Sequence, residues 1–249
     1  NTILSIPLAY EVVTNLTNAK FIAHVHELNS VIKQLLPNFS MYNEAIDHFI
    51  TPAKMVKDNL LNNWEVQGSK VKVIYECALV SKINDKEKSK DFFTIGASGT
   101  VIWRKGYDVF IQVARQLCNL YPKNNFRFVW VGYIKPHDLI MVEEDLFKLG
   151  LTDKVFFTGE VKNPSVYYKD FDLFVMTSRE DPFPLVCIEV GMMGKPIISF
   201  DKAVGTNEFL EKGGGFVVPY LDINTMVEKI ITYYNNSDLL SEHGAYNQT

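Results

Sequence analysis

The 249-residue chain is 47% hydrophobic and 22% charged, enough material for the core of one large domain or two moderate ones. Its net charge of -4 and pI near 5.8 leave no basic footprint and argue against nucleic acid, while still allowing a local basic pocket for a phosphate. Three cysteines, Cys77, Cys118 and Cys187, lack metal-ligand spacing, and their odd number argues against a disulfide framework and for a reducing, cytoplasmic compartment.

No run approaches the roughly 18 apolar residues that span a bilayer. The opening NTILSIPLAY has no basic segment before its apolar stretch, so it does not read as a signal peptide. The absence of an initial Met is expected of a fragment or a processed product.

In chain order, KFIAHVH (Lys20–His26) predicts a short strand, and ELNSVIKQLLPNF a helix or two turns stopped near Pro37. AIDHFITP predicts a second strand, after which Pro52 opens a helix placing Met55, Val56, Leu60 and Trp64 on one face. VKVIYE is a third strand. The polar run SKINDKEKSKD, Ser81 to Asp91, interrupts this pattern and marks an expected domain boundary, giving units 1–85 and 86–249; a solvated loop is the alternative.

Beyond it come the strand DFFTIGA, the helix GYDVFIQVARQLCNLYP, the strand FRFVWVGY, a helix over Asp138–Lys148 and the strand KVFFTGE. PSVYYKDF (short helix), DLFVMTS (strand), LVCIEVGMMG (helix) and PIISF (strand) follow. A helix around Thr206–Lys212, the strand GFVVPY and the helix NTMVEKIITYYNN close the run. Alternating elements with continuous apolar strands predict an α/β class and a parallel sheet of about six strands covered on both faces.

Ligands of such sheets lie beyond the carboxyl ends of the strands, so the loops there are the candidate sites. The first is GASGTVIWRKG, Gly96 to Gly106. Gly96 and Gly99 would permit close backbone approach, and Arg104 and Lys105 offer cations just before a helix, a setting suited to a diphosphate or to a plain charged loop. The loop matches neither the P-loop nor the dinucleotide glycine pattern. The second is DPFPLVCIE. A helix starting near Pro184 or Leu185 puts Glu189 one turn inside and leaves Asp181 in the preceding loop. Paired carboxylates accept sugar or ribose hydroxyls; the alternatives are a helix cap at Asp181 and a structural ion pair at Glu189.

A third loop, KAVGTNEFLEKGGGFVVP, offers Thr206 or Asn207 as a cap. The helix start there would favour a phosphate, and the glycine run 213–215 would turn the chain. His24 and His26 share a face of the first strand. They suit a metal, a cleft or a structural role, and no third metal ligand is evident nearby in sequence.

The segments WRKGYDVFIQVA, VGY, FFTGEV, DLFVMTSREDPFPLVCIEVGMMGKPII and GTNEFLEKGGGFVVP, in this order, resemble the donor-binding half of a GT-B glycosyltransferase of the large retaining family four. FIAHVHEL and AIDHFITPAKMVKDNLL resemble the end of that family's N-terminal Rossmann-like domain. The resemblance implies a Rossmann-like donor domain plus a partial second one, facing each other across a cleft. It also implies transfer of a sugar from a nucleoside diphosphate sugar to an acceptor hydroxyl, with retention, in polysaccharide or glycoconjugate synthesis.

By the same resemblance Lys105 contacts the donor diphosphate, with Arg104 compensating for Thr100 where the family has an arginine. Gly99, Phe183 and Leu185 line the donor site, Asp181 addresses the sugar, Glu189 the ribose, and His26 is the cleft histidine, with His24 its rival. Pro184 replaces a glycine and removes one backbone donor. The family's C-terminal crossing helix is expected to be missing.

No metal or cofactor is expected. Lys105, Arg104 and helix N-termini would offset the leaving phosphates, and the donor phosphate itself would assist removal of the acceptor proton. Asp181 and Glu189 would then orient the donor. The implied partners are the donor and a saccharide or glycolipid acceptor, with peripheral contact at the inner membrane face. The rival readings are a GT-B nucleotide-sugar epimerase and a non-catalytic sugar-nucleotide-binding remnant.

Overall fold

The computed structural model describes residues 3–16, 18–78 and 91–249. The chain divides into two compact units, residues 1–77 with 181–184, and residues 78–180 with 185–249. The boundary expected between 85 and 86 lies outside the described residues, as does the polar run up to residue 90.

In the first unit a 3-10 turn, Ile3–Ser5, leads into α1 (Ile6–Thr14), followed by β1 (Ile22–His24), α2 (Asn29–Leu35), β2 (His48–Thr51), α3 (Lys54–Trp64) and β3 (Val71–Val73). The strands run parallel in the order β1-β2-β3, in a register that sets Ala23 against Phe49 and Phe49 against Val71. They are shorter than expected: of Lys20–His26, only Ile22–His24 pairs as strand. The apolar spacing of α3 buries Val56, Leu60 and Trp64, while Met55 is only half-buried. Glu65, at φ 58°, ends that helix in the left-handed region. Helix α1 was not legible in the sequence, because a row of exposed side chains, Leu4, Leu8 and Val12, masks its amphipathic pattern.

The second unit contains β4 (Phe93–Ser98), α4 (Tyr107–Leu120), β5 (Phe126–Val131), α5 (Pro136–Leu149), β6 (Val155–Phe157), α6 (Ser165–Tyr168) and β7 (Leu173–Met176). It continues with α7 (Leu185–Met192), β8 (Ile197–Phe200), α8 (Asn207–Phe209), β9 (Gly215–Val218), α9 (Ile223–Asn235) and α10 (Ser237–Tyr246). Its six parallel strands are ordered β6-β5-β4-β7-β8-β9. Strands β7 and β8 are buried at every position, as central strands covered on both faces must be. Helix α4 repeats apolar residues at helical spacing and buries Val109, Phe110, Val113, Ala114 and Leu117; Phe110 meets Phe128 and Trp130 edge-on at 5.8 and 5.4 Å.

Two elements depart from expectation. The helix expected over Thr206–Lys212 is only three residues of α-helix followed by a π-helical segment, Leu210–Gly214, too short to offer a phosphate a useful dipole. Chain order does not close with α9: α10 follows, its start capped by Asn236, which accepts from the Leu239 N–H at 3.0 Å. Glycines 213–215 do more than turn the chain. A Cβ on Gly214 would collide with Asn247, whose amide donates to the Lys195 and Gly214 carbonyls at 3.0 and 2.7 Å. Among the described residues no helix is long and apolar enough to cross a membrane.

Candidate functional site

The order of the six-stranded sheet reverses between β4 and β7, where one connection turns toward β5 and the other toward β8. Such a switch point opens a crevice beyond the strands' carboxyl ends. The two loops that leave there, 99–106 after β4 and 177–180 after β7, are joined to each other at several points.

Gly106 sits at φ 72°, and a Cβ there would lie 1.9 Å from the Thr177 carbonyl oxygen, so only glycine lets the loops meet. The Arg179 N–H donates to the Arg104 carbonyl at 2.8 Å, and Arg104 Nη1 donates to the Glu180 carbonyl at 2.6 Å. The Arg179 guanidinium grips both Asp108 carboxylate oxygens at 2.8 and 2.7 Å and donates to the Trp103 carbonyl at 2.7 Å. It also lies over the Trp103 ring, 4.9 Å from its centre. Burial alone would raise the Asp108 carboxyl, but the hydrogen bonds and charge of Arg179 outweigh it and hold the group below its usual value.

Lys105 follows in this pinned turn, and its aliphatic stem fills the space left by the missing Cβ of Gly99, at 3.2 Å. Gly99 is held in turn: its carbonyl accepts from the Trp130 indole N–H at 2.8 Å. Gly96, expected to lie against a phosphate, is instead inside β4, and its vacant Cβ position is filled by the Phe171 ring. It is a packing glycine.

Glu189 lies on α7 as expected, half-buried, with its carboxyl raised by that burial. Its charge helps raise the Tyr168 hydroxyl, which is pushed up to about 12, mainly by burial, against the bond to Ser98 at 2.7 Å. Leu185 begins α7 and is 40% exposed, available to a ligand surface. Asp181 and Phe183 cluster with the first unit. Both are buried, and Phe183 stacks on Tyr75 with ring centres 6.2 Å apart. Of the two carboxylates, Glu189 is thus the more exposed.

In the first unit, His24 ends β1 and His26 lies two residues beyond, their ring centres 4.1 Å apart. The third partner that sequence spacing failed to reveal is Glu76, after β3, whose carboxylate meets His26 Nδ1 at 2.9 Å. One ligand atom from each of these three residues lies within 4.8 Å of the others, a nitrogen and oxygen donor set of the kind borderline divalent ions accept. Burial lowers the His26 ring from its usual value, His24 adds to this, and Glu76 opposes it.

Spacing did not point to Asp108, Arg179 or Glu76 as part of the site. The tripeptide Ser178-Arg179-Glu180 and the acid opening α4 were visible, but nothing in chain order says that residues about seventy positions apart form a bidentate pair.

Residues 90–236 match the family described as glycosyl transferases group 1. Over 217 residues the chain is 26% identical to a poly(ribitol-phosphate) alpha-N-acetylglucosaminyltransferase of Staphylococcus aureus, covering 86% of this chain and 41% of that protein. It is 28% identical over 158 residues to the lipopolysaccharide core biosynthesis mannosyltransferase LpsB of Rhizobium meliloti, covering 61% and 44%. The chain thus spans about two fifths of the length of these curated relatives. Among solved structures, TarM superposes with a TM-score of 0.82 at 22% identity, covering 99% of this chain and 49% of that one. HepE from Anabaena, solved in complex with UDP-glucose, superposes with 0.82 at 19% identity, covering 100% and 71%. These likenesses fix the fold as Rossmann-like α/β of the GT-B type. With the match spanning more than half its length, the chain belongs to the group 1 glycosyl transferases.

Proposed function

We propose that the chain is the donor-binding part of a retaining glycosyltransferase. The enzyme moves a sugar from a nucleoside diphosphate sugar to a hydroxyl of a saccharide or glycolipid acceptor, in polysaccharide or glycoconjugate synthesis. The observation that carries this reading is the pinned pair of loops at the sheet's switch point, which presents Lys105 beside glycine backbone.

A leaving diphosphate needs positive charge that is already in place, because preorganised donors stabilise developing charge without reorganising at the moment of reaction. Lys105, which resembles the family's diphosphate-contacting lysine, is the main side-chain contact, with Arg104, tied to the Glu180 carbonyl, beside it. Glu189 accepts the ribose hydroxyls, and its partial burial makes those hydrogen bonds worth more than in water. Asp181 and, by resemblance, His26 address the transferred sugar, with Gly99, Phe183 and Leu185 completing the donor site. No metal enters this scheme, and neither Asp181 nor Glu189 acts as covalent nucleophile.

A calorimetric panel of UDP, GDP and ADP with their glucose derivatives, together with UDP-N-acetylglucosamine, tests the reading. Binding of one nucleotide family at micromolar affinity, unchanged by EDTA, is expected. Absence of binding across the panel, or loss of binding on chelation, overturns it.

A further inference from the structure

The proposed function leaves unexplained why a carboxylate from the far end of the first sheet is aimed at His26. Strands β1 and β3 flank β2, so the segments after them emerge at the same carboxyl edge. Chain topology therefore brings His26 and Glu76 together across fifty residues. His26 is held twice. Its backbone N–H donates to Glu27 Oε2 at 3.0 Å, and its ring Nδ1 meets Glu76 Oε1 at 2.9 Å. We infer that Glu76 is a positioning residue that fixes His26 as the tautomer protonated on Nδ1, leaving the Nε2 lone pair to accept a hydroxyl of the transferred sugar.

A carboxylate accepts and cannot donate, so a neutral ring facing it must carry its proton on Nδ1. In its neutral form the ring therefore presents an acceptor at Nε2. The His24 ring lies beside it, with centres 4.1 Å apart, and His24 Nε2 is buried without a hydrogen-bond partner among the described residues. Free imidazole in water divides between two tautomers, and only one presents an acceptor at Nε2. Selecting it in advance removes a reorganisation step when the sugar arrives. The sugar-directed half of this inference rests on the proposed glycosyl transfer; the tautomer half stands on the first unit alone.

The experiment uses the whole chain labelled with 15N-histidine, with His26 assigned through His26→Gln. Long-range 15N correlation spectra of the wild type should show His26 protonated on Nδ1. Glu76→Ala should move the population toward the Nε2-protonated form, and Glu76→Gln, whose amide oxygen still accepts, should retain the original tautomer. In the same samples Glu76→Ala should weaken UDP-glucose binding about fivefold while leaving UDP unchanged, and Glu76→Gln should restore most of the loss. An unchanged His26 spectrum in folded Glu76→Ala overturns the inference. If Glu76→Ala fails to fold, a shift toward Nε2 protonation in Glu76→Gln overturns it. A tautomer shift with no selective loss of UDP-glucose strikes out the sugar role of His26 and leaves glycosyl transfer itself to the donor panel. Stoichiometric Zn2+ binding that is lost in both His24→Ala and Glu76→Ala replaces the hydrogen-bond account with a metal centre.

Discussion

The two sheets offer their carboxyl edges to different chemistry. In the second unit that edge carries Lys105, Arg104 and glycine backbone, on loops tied together by Arg179, Asp108 and the Gly106–Thr177 contact. In the first unit it carries two imidazoles with Glu27 and Glu76, and one buried ring nitrogen, His24 Nε2, has no hydrogen-bond partner among the described residues. Parallel pairing accounts for the edges in both, because it sends every connection out at the same end of the strands. What differs is the chemistry at the edges: cations beside glycine backbone in the second unit, imidazoles and carboxylates in the first. The loops at the second unit's edge are tied through backbone contacts, whereas the first unit's edge holds His26 through two carboxylates, Glu27 and Glu76.

The sharpest break of this contrast is at glycine. Gly106→Ala forces a side chain into the left-handed region and against the Thr177 carbonyl, and should cost about 3–4 kcal/mol of stability in urea titrations. Gly68→Ala in the first unit would meet only Leu61 Cδ2 at 3.6 Å and should be close to neutral. Comparable losses at both positions would mean that the close approach to the Thr177 carbonyl is not what requires glycine at 106.

Lys105→Ala comes next. It should weaken UDP binding about 30-fold, corresponding to about 2 kcal/mol, with little change in thermal midpoint. Unchanged affinity in a folded variant would move the role to Arg104 or to the backbone. Arg179→Lys keeps the charge but loses the paired grip on Asp108 and the stacking on Trp103. It should weaken UDP about fivefold, near 1 kcal/mol, and Asp108→Asn should show the same loss without adding to it. Full additivity in the double variant would show that the pair does not act through one loop.

The two acids sharpen the comparison further. Asp181→Asn should weaken UDP-glucose more than UDP, and Glu189→Gln should weaken both, since both ligands contain ribose. An equal effect of Asp181→Asn on the two ligands rejects its sugar role.

The smallest expected effect is on stability without ligand. Burial raises the folded-state value of Glu189, so the fold favours its protonated form. The resulting advantage is complete below the unfolded carboxyl value and is lost as pH rises through the raised one. Glu189→Gln should therefore raise the thermal midpoint at pH 8 and leave it nearly unchanged at pH 4. Identical shifts at the two pH values would remove burial as the cause.

The alternation of strands and helices was legible because apolar periodicity is a local property. The run FRFVWV reads as a buried strand, and the spacing of α4 shows its inward face. The start of α7 was legible from Pro184, which fixed Glu189 one turn inside the helix. Helices α1 and α10 were not, because their burial comes from neighbours distant in sequence and their own patterns are weak. The role of Gly96 was misread for a related reason. A glycine after a strand start suggests a phosphate, and only packing shows that Phe171 fills the space. Residue types at the candidate site, and the order in which they occur, are thus set by the sequence. The strand order that puts β4 beside β7, and the pairings Arg179–Asp108 and Glu76–His26, belong to the tertiary structure. Each joins residues fifty or more positions apart, a distance over which local propensity carries no information and only the closing of the sheet decides which side chains meet.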